Sequence, residues 1–268
     1  PQDIGILAAS GIGFIHASIP PKVTIISTGD ELYEPLQVID KNLDRESLTH
    51  VIQETSRRLG PAGIFDSNGY QLSAHARAAG ASVKFLGIVK DSREELIKTL
   101  TDALQNSDVV IVSGGVSMGD FDFIPSIAQS LGVQGIFHNL AMRPGKPTFF
   151  GTKGEKAFFG LPGNPVSTFV NFEIFIKPFL YQLQGIQYNP PILACQLAED
   201  IRRKGSDRVE YLPAHIDFPN TVIRPLPYHG SSMITALGNA NALIRMELGE
   251  DHLSKGASIH ARLIRPLD

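Results

Sequence analysis

Apolar positions in the first two thirds of the chain come as short unbroken runs separated by segments with helical spacing. Val23–Ser27 (VTIIS), Val83–Val89, Asp108–Ser113 and Ala157–Leu161 are rich in β-branched and aromatic residues and end in glycine or polar residues. Runs without polar alternation mark strands buried on both faces. Between them, Leu96, Ile97, Leu100, Ala103 and Leu104 share one face of a helix that Ser92-Arg93-Glu94-Glu95 opens as a capping box. Phe123–Leu131 and Pro165–Leu183 are two more helical segments. Phe137–Gly160 breaks the alternation, because two short strands flank Thr152-Lys153-Gly154 and predict an antiparallel hairpin. Strand–helix alternation predicts an α/β domain whose mostly parallel sheet is covered on both faces, a three-layer arrangement.

The pattern changes after Gly185. Tyr188-Asn189-Pro190-Pro191 reads as a hinge, and beyond it come only short runs with turns, 192–197, 209–218, 221–225, 242–248 and 258–263. These predict a small all-β barrel or sandwich. The expected division is an α/β domain over 22–187 and a β domain over 188–268. Residues 1–21, short on periodicity and ending in Ile19-Pro20-Pro21, read as a linker or the tail of another domain. A charge-dense stretch between Val38 and Phe65 carries Leu48, Val51, Ile52 and Leu59 on one helical face.

Composition alters this picture only by exclusion. A net charge of −3 leaves no basic footprint for nucleic acid, so any bound anion must be held by local features. The single cysteine, Cys195, excludes an intrachain disulfide and any multi-cysteine metal site. No signal-peptide pattern and no apolar run of membrane-spanning length is present, so a cytoplasmic protein that does not enter the membrane is expected.

Candidate chemistry lies where strands end. Ser113–Asp122 (SGGVSMGDFD) follows an apolar strand and precedes a helix. Gly114 and Gly115 let the backbone turn sharply and approach a ligand, and successive amides there, with Ser113 and Ser117, can cradle an anion. A tight strand–helix turn explains the same residues. Asp120 and Asp122 beside such a cradle point to Mg2+. In Leu161–Pro165 (LPGNP), Asn164 is a good N-cap and Pro165 suits the first helical position, while Gly163 lets the backbone approach. A well-capped helix and an anion site at its start are both consistent with that pattern. Arg143-Pro144-Gly145-Lys146-Pro147 holds two cations on a turn stiffened by prolines, a fork and a point charge suited to an oxyanion. Ser27–Glu31 ends the first strand with two acids, and Asp91 follows the Val83–Val89 strand to reach the same rim. His75 and His138 show no ligand spacing and read as structural or solvated. Together these loops predict a metal-assisted site for a phosphorylated small molecule.

In this order, STGDE, DSNGY (Asp66–Tyr70), LGIVKD (Leu86–Asp91), SGGVSMGDFDF, RPGKP and LPGNPVS resemble the molybdopterin molybdotransferases, the MoeA family and the E domain of gephyrin. The likeness extends to Gly230-Ser231-Ser232-Met233 and Gly238-Asn239-Ala240-Asn241 near the C-terminus. The resemblance implies a MogA-like α/β domain with the pterin in a cleft. It also implies adenylylated molybdopterin and molybdate as substrates, and release of AMP as the metal joins the dithiolene. By motif, Glu31, Asp91, Asp122, Arg143, Lys146, Pro162 and Pro165 match the family's functional positions, and Arg208 and Ser231 match positions from its β domain. The implied roles are Asp91 and Asp122 for Mg2+ or adenylate hydrolysis, with Glu31 and Lys146 alongside them. Arg143, Lys146 and the glycine amides serve phosphate and molybdate. A homodimer and a MogA-like adenylyltransferase as partner are also implied. Full-length members begin with two further domains, the second completing the cleft across the dimer, and Pro1–Gly5 resembles only the end of that part. A pterin-binding module without catalysis is the alternative reading.

Overall fold

The computed structural model describes residues 2–35, 44–59, 62–116, 123–227, 230 and 232–265. The chain begins with helix α1 (Gln2–Ala9), which buries none of its residues. This helix lies within residues 1–21, read from the sequence as a linker or the tail of another domain. Strand β1 (Lys22–Thr28) follows, then the short β2 (Leu32–Tyr33), helix α2 (Arg45–Arg58), β3 (Ile64–Phe65), α3 (Asn68–Ala78) and β4 (Ser82–Val89). Helix α2 occupies the charge-dense stretch and is capped by Asp44, whose Oδ1 accepts from the Ser47 amide at 2.7 Å. Helix α4 (Arg93–Asn106), β5 (Val109–Ser113), α5 (Phe123–Ser130), β6 (Gln134–His138), β7 (Met142–Arg143), β8 (Phe149–Lys153) and β9 (Lys156–Leu161) complete the first sheet region. Ser92 stands at the N-cap of α4 as expected, but its side chain makes no capping bond. The predicted capping box does not form, although the Ser92 carbonyl accepts the first helical bond, from the Leu96 amide.

The first sheet has the order β4-β1-β5-β9-β8-β6. β4, β1, β5 and β9 run parallel, and the β8–β9 hairpin and β6 add the antiparallel edge. The unbroken apolar runs are explained by packing on both faces. Ile26, Val110, Val112 and Phe158 meet Leu96, Leu100, Ile124 and Ile127 of α4 and α5. The alternate residues Val23, Ile25, Ile111 and Phe159 meet Leu72, Phe172 and Leu180 on the opposite side. The latter two belong to a helical run in three pieces: α6 (Pro165–Asn171), a π turn (Phe172–Ile176) and α7 (Lys177–Leu183). The sequence predicts one uninterrupted helix here. The Lys177 amide reaches back five residues to Phe172 O, and Pro178 beside it has no amide to offer the ladder.

The chain then forms β10 (Ile192–Leu197), β11 (Ile201–Arg202), β12 (Val209–Asp217), β13 (Val222–Pro225), a 3₁₀ turn (Ile234–Leu237), β14 (Ala242–Met246), β15 (His252–Leu253) and β16 (Ser258–Leu263). The order β13-β10-β16-β14-β12 closes through a β12–β13 pairing. Of the barrel or sandwich expected, the closed five-stranded barrel forms, because β12 is long enough to pair with β14 and β13 together. Its interior shows period-two alternation, with Cys195 and Leu197, Ala214 and Ile216, Ile244 and Met246, and Ala261 and Leu263 facing inward. One pairing departs from the sequence reading. Met142–Arg143, expected within the α/β part, pairs in parallel with Val209 and Glu210 at the start of β12. A shared apolar cluster continues the contact, joining Met142, Val166 and Phe169 to Tyr211, Leu237 and Leu243.

Candidate functional site

Four neighbouring parallel strands end at one edge of the sheet, and their loops carry most of the candidate residues. The connections change direction between β1 and β5, the position at which doubly wound sheets open a crevice. Ser27 and Ser113 are paired there, both buried. Gly114 has φ +104°, and a Cβ on it would stand 2.1 Å from the Thr28 carbonyl oxygen. Glycine is therefore required at that position by the backbone of β1. Gly115 is likewise left-handed, with Ile124 2.7 Å from its missing Cβ. Gly163 differs: its nearest neighbour would be Gly114 Cα at 3.9 Å, so the protein itself does not demand glycine there. The two loops are nonetheless adjacent, and the Gly114 amide donates to Leu161 O at 2.9 Å.

A residue outside the candidate set ties them together. Asn68, at the start of α3, donates through Nδ2 to Ser113 Oγ at 2.8 Å and to Gly163 O at 2.6 Å. Its Oδ1 is buried and has no partner among the described residues, as are Ser27 Oγ and Asp66 Oδ2. The motif DSNGY contained the signal, but nothing in the sequence showed that its asparagine would meet two other motifs. On the outer side of β1, Thr28 donates its hydroxyl to Asp91 Oδ1, and the Asp91 amide donates to Asp30 Oδ1 at 3.3 Å. Glu31 is exposed, its carboxylate folded over Gly29 with both oxygens 2.7 Å from where a Cβ would lie.

The second half of the site lies where β7 meets the barrel. A cavity of about 300 Å3 is lined by Arg143, Lys146, Pro162, Asn164 and Arg208, among others. Among its described lining residues three carry positive charge and none negative, which suits a compact oxyanion. The turn that presents Arg143 and Lys146 is built from behind. Gly145 has φ +106°, and a Cβ there would stand 2.4 Å from Asn171 Nδ2. Asn171 is fully buried in α6 and donates to Ser167 O at 2.9 Å. The single hydroxyl proton of Thr148 lies between Gly145 O at 2.8 Å and Asn171 Oδ1 at 3.0 Å. Asn164 occupies the N-cap of α6 as expected, yet its side chain makes no capping bond and lines the cavity. Pro165 takes the first helical position, and Pro162 O accepts from Thr168 Oγ1 at 2.6 Å. Glu210, absent from the sequence reading, faces Arg143: its Oε1 is 3.3 Å from Arg143 Nε.

The structure therefore separates the candidates into two adjoining groups. Glu31, Asp91, Ser113, Gly114 and Gly115 belong to the strand rim, and Arg143, Lys146, Pro162, Asn164 and Arg208 to the cavity beside the barrel. Gly163 links them through Asn68. Asp120, Asp122, Ser117 and Ser231 lie outside the described residues. So the pair Asp91 and Asp122 expected for Mg2+ has one member described, with Thr28 already on one of its oxygens. Among the described residues no three His, Cys, Asp or Glu side chains converge to hold a metal ion. His75 sits between the rings of Phe169 and Phe172, with centroids 5.2 and 5.3 Å away. Burial first, then the charges of Lys177 and Arg265, lower its pKa to about 4. It is a neutral core histidine.

A doubly wound sheet with glycine loops at its strand ends, continued into a β barrel across a cationic cavity, defines a class of α/β protein built to hold an anionic ligand. Comparison with known families narrows the class. Residues 24–182 match the probable molybdopterin binding domain, and residues 195–264 match the MoeA C-terminal region, domain IV. The first match covers more than half of the chain, and the chain belongs to that molybdopterin-binding family. It is 32% identical over 268 residues to the molybdopterin molybdenumtransferase of Nostoc sp., covering 96% of this chain and 56% of the relative. It is 31% identical over 300 residues to gephyrin of Dictyostelium discoideum, covering 99% of this chain and 39% of the relative. The solved molybdopterin biosynthesis MoeA protein of Pyrococcus horikosii superposes with a TM-score of 0.78 at 25% identity, covering 99% of this chain and 60% of that one. The chain spans about half the length of the curated bacterial relatives it matches. Among the described residues no helix is long and apolar enough to cross a membrane.

Proposed function

We propose that this chain carries the site at which molybdate is inserted into adenylylated molybdopterin, with release of AMP. The observation that carries the reading is the cavity beside the barrel, where Arg143, Lys146 and Arg208 converge without an opposing acid among the described lining residues. The cationic lining suits a tetrahedral dianion, for which Arg143 offers a planar fork and Lys146 a mobile point charge. The strand rim next to it holds the pterin phosphate and adenylate. The glycine turn lets the backbone come close to a ligand there, and the buried, unpaired acceptors of Asn68 and Asp66 lie at the same rim.

In this reading the phosphoanhydride between pterin phosphate and AMP is hydrolysed: a water oxygen bonds to the pterin phosphorus, the P–O bond to AMP breaks, and AMP departs with that bridging oxygen. Asp91, oriented by Thr28, receives the proton or orients the nucleophile, and Glu31 follows β1 in the neighbouring loop. The cations of the cavity hold molybdate against the dithiolene. Mg2+ would supply charge neutralisation at the phosphates, with Asp91 as its one described ligand. Acceptance of the adenylylated pterin from a MogA-like adenylyltransferase, action as a homodimer and a cytoplasmic setting belong to the same proposal.

The test is direct. The chain is incubated with adenylylated molybdopterin and molybdate, with and without Mg2+, and AMP release is followed. Lys146→Ala is expected to weaken molybdate binding by about tenfold or more through loss of a charge-assisted contact. Binding of the adenylylated pterin without any AMP release would overturn the catalytic part and leave a binding module. Undiminished molybdate binding in Lys146→Ala would remove the cavity from the site.

A further inference from the structure

We propose that Glu210 is a positioning residue that fixes the guanidinium of Arg143 over the oxyanion cavity. This makes the seating of the barrel a part of the site, and it rests on the reading of that cavity as the molybdate pocket. Glu210 and Arg143 are register partners in the β7–β12 pairing, so backbone and side chains join the same two residues. The Glu210 side chain is 5% exposed, and its two oxygens are divided between two arginines. Oε1 is 3.3 Å from Arg143 Nε, and Oε2 is 3.5 Å from Arg203 Nη1.

The two arginines differ in what they are free to do. Arg203 is 6% exposed. It donates to the carbonyls of Glu250 at 2.6 Å and Arg208 at 2.7 Å, and also to that of Glu247. Its donors are consumed by structure, and its fixed charge keeps the buried carboxylate of Glu210 compensated. Arg143 is 49% exposed and meets Glu210 through Nε, the nitrogen nearest its stem. That contact occupies one edge of the planar group and leaves the two terminal nitrogens for a ligand. Arg143 borders both the oxyanion cavity and a second recess of about 280 Å3, which Glu210 and Arg203 also line. The residue thus joins the oxyanion cavity to its buried carboxylate partner.

A long arginine held in this way binds an oxyanion without first losing its rotamer freedom. Arg203 reinforces the arrangement from the other side, since it also holds Arg208 O, the carbonyl of the third cavity cation.

The experiment measures orthomolybdate binding to the full chain by calorimetry, for the parent protein, Glu210→Gln, Arg143→Ala and the double variant, with thermal melting alongside. Glu210→Gln is expected to weaken molybdate binding about tenfold, the scale seen when a ligand-orienting partner is lost. In the Arg143→Ala background the same change is expected to have no further effect on affinity. Additive losses in the double variant would show a general structural role and overturn the proposal. Unchanged affinity in Glu210→Gln, while Arg143→Ala binds weakly, would also overturn it and leave the cavity reading intact. Unchanged affinity in Arg143→Ala itself would instead sink that reading. Should Glu210→Gln fail to fold, Glu210→Asp becomes the deciding variant, because it keeps the charge beside Arg203 and draws the carboxylate back from Arg143. A folded Glu210→Asp with parent affinity, or loss of fold in both, counts against the proposal.

Discussion

Gly114 and Gly163 occupy similar glycine loops on neighbouring strands, yet only one of them is held to glycine by the protein. Gly114→Ala would place a methyl group 2.1 Å from Thr28 O at a left-handed φ. A loss of at least about 2 kcal/mol in urea unfolding is expected. Gly163→Ala meets only an ordinary contact and is expected to change stability by less than about 0.5 kcal/mol. A weakened affinity for adenylylated molybdopterin in that folded variant would place the glycine's role at the ligand. His75 provides a second prediction at this scale. Its pKa near 4 in the fold lies below the ordinary value of 6.5, so the unfolded chain binds the extra proton between those limits. Its contribution is therefore complete above about pH 6.5 and is lost as the pH falls towards 4. The span amounts to about 3 kcal/mol. Melting temperatures recorded from pH 7 to 4 are expected to fall, and His75→Leu is expected to flatten that fall. An equally steep fall in His75→Leu would assign the acid sensitivity to other groups.

At the scale of elements, the interrupted helix 165–183 is the informative one. Its π turn carries Glu173, fully buried, with both carboxylate oxygens 3.1 Å from Lys177 Nζ. Arg262 of β16 donates to the Glu173 carbonyl and stands 3.9 Å from Oε2. Lys177 and Arg262 both lie over the Tyr188 ring, 5.6 and 5.7 Å from its centroid, and Tyr181 stacks on that ring. The turn therefore joins the α/β part to the barrel through one buried acid and two cations. Glu173→Ala is expected to cost about 3 kcal/mol, because it leaves partly buried positive charge uncompensated. Thermal or urea unfolding measures it, and a loss under about 1 kcal/mol would show that the cations find water instead.

At the scale of the whole molecule, the two parts share a core and a strand pairing. Met142, Val166 and Phe169 pack with Tyr211, Leu237 and Leu243, and β7 adds to β12 beside the cationic turn. A single calorimetric transition is expected, with a heat-capacity change of about 3.5 kcal/mol/K for 268 residues. Two separated transitions would show that the barrel folds independently of the α/β part, and that the cavity between them depends on weak docking alone.

What the sequence determined by itself was local and periodic. Unbroken runs such as Val109–Ser113 specified strands covered on both faces, short runs with turns after residue 191 specified a small all-β barrel or sandwich, and glycine spacing located the turns at strand ends. Those properties depend on a residue and its near neighbours, so they can be read along the chain. It also supplied the ordered motifs by which the family was legible. Helix α1, the π turn and the unformed Ser92 capping box were not legible, because each was settled by small differences in local hydrogen bonding. Tertiary structure alone decided which motifs meet. Asn68 reaches Ser113 and Gly163 across 45 and 95 residues of chain, and Glu210 meets Arg143 only because β7 leaves its neighbours to pair with the barrel. Long-range pairing depends on how the folded parts fit together, and no local pattern in either partner encodes it.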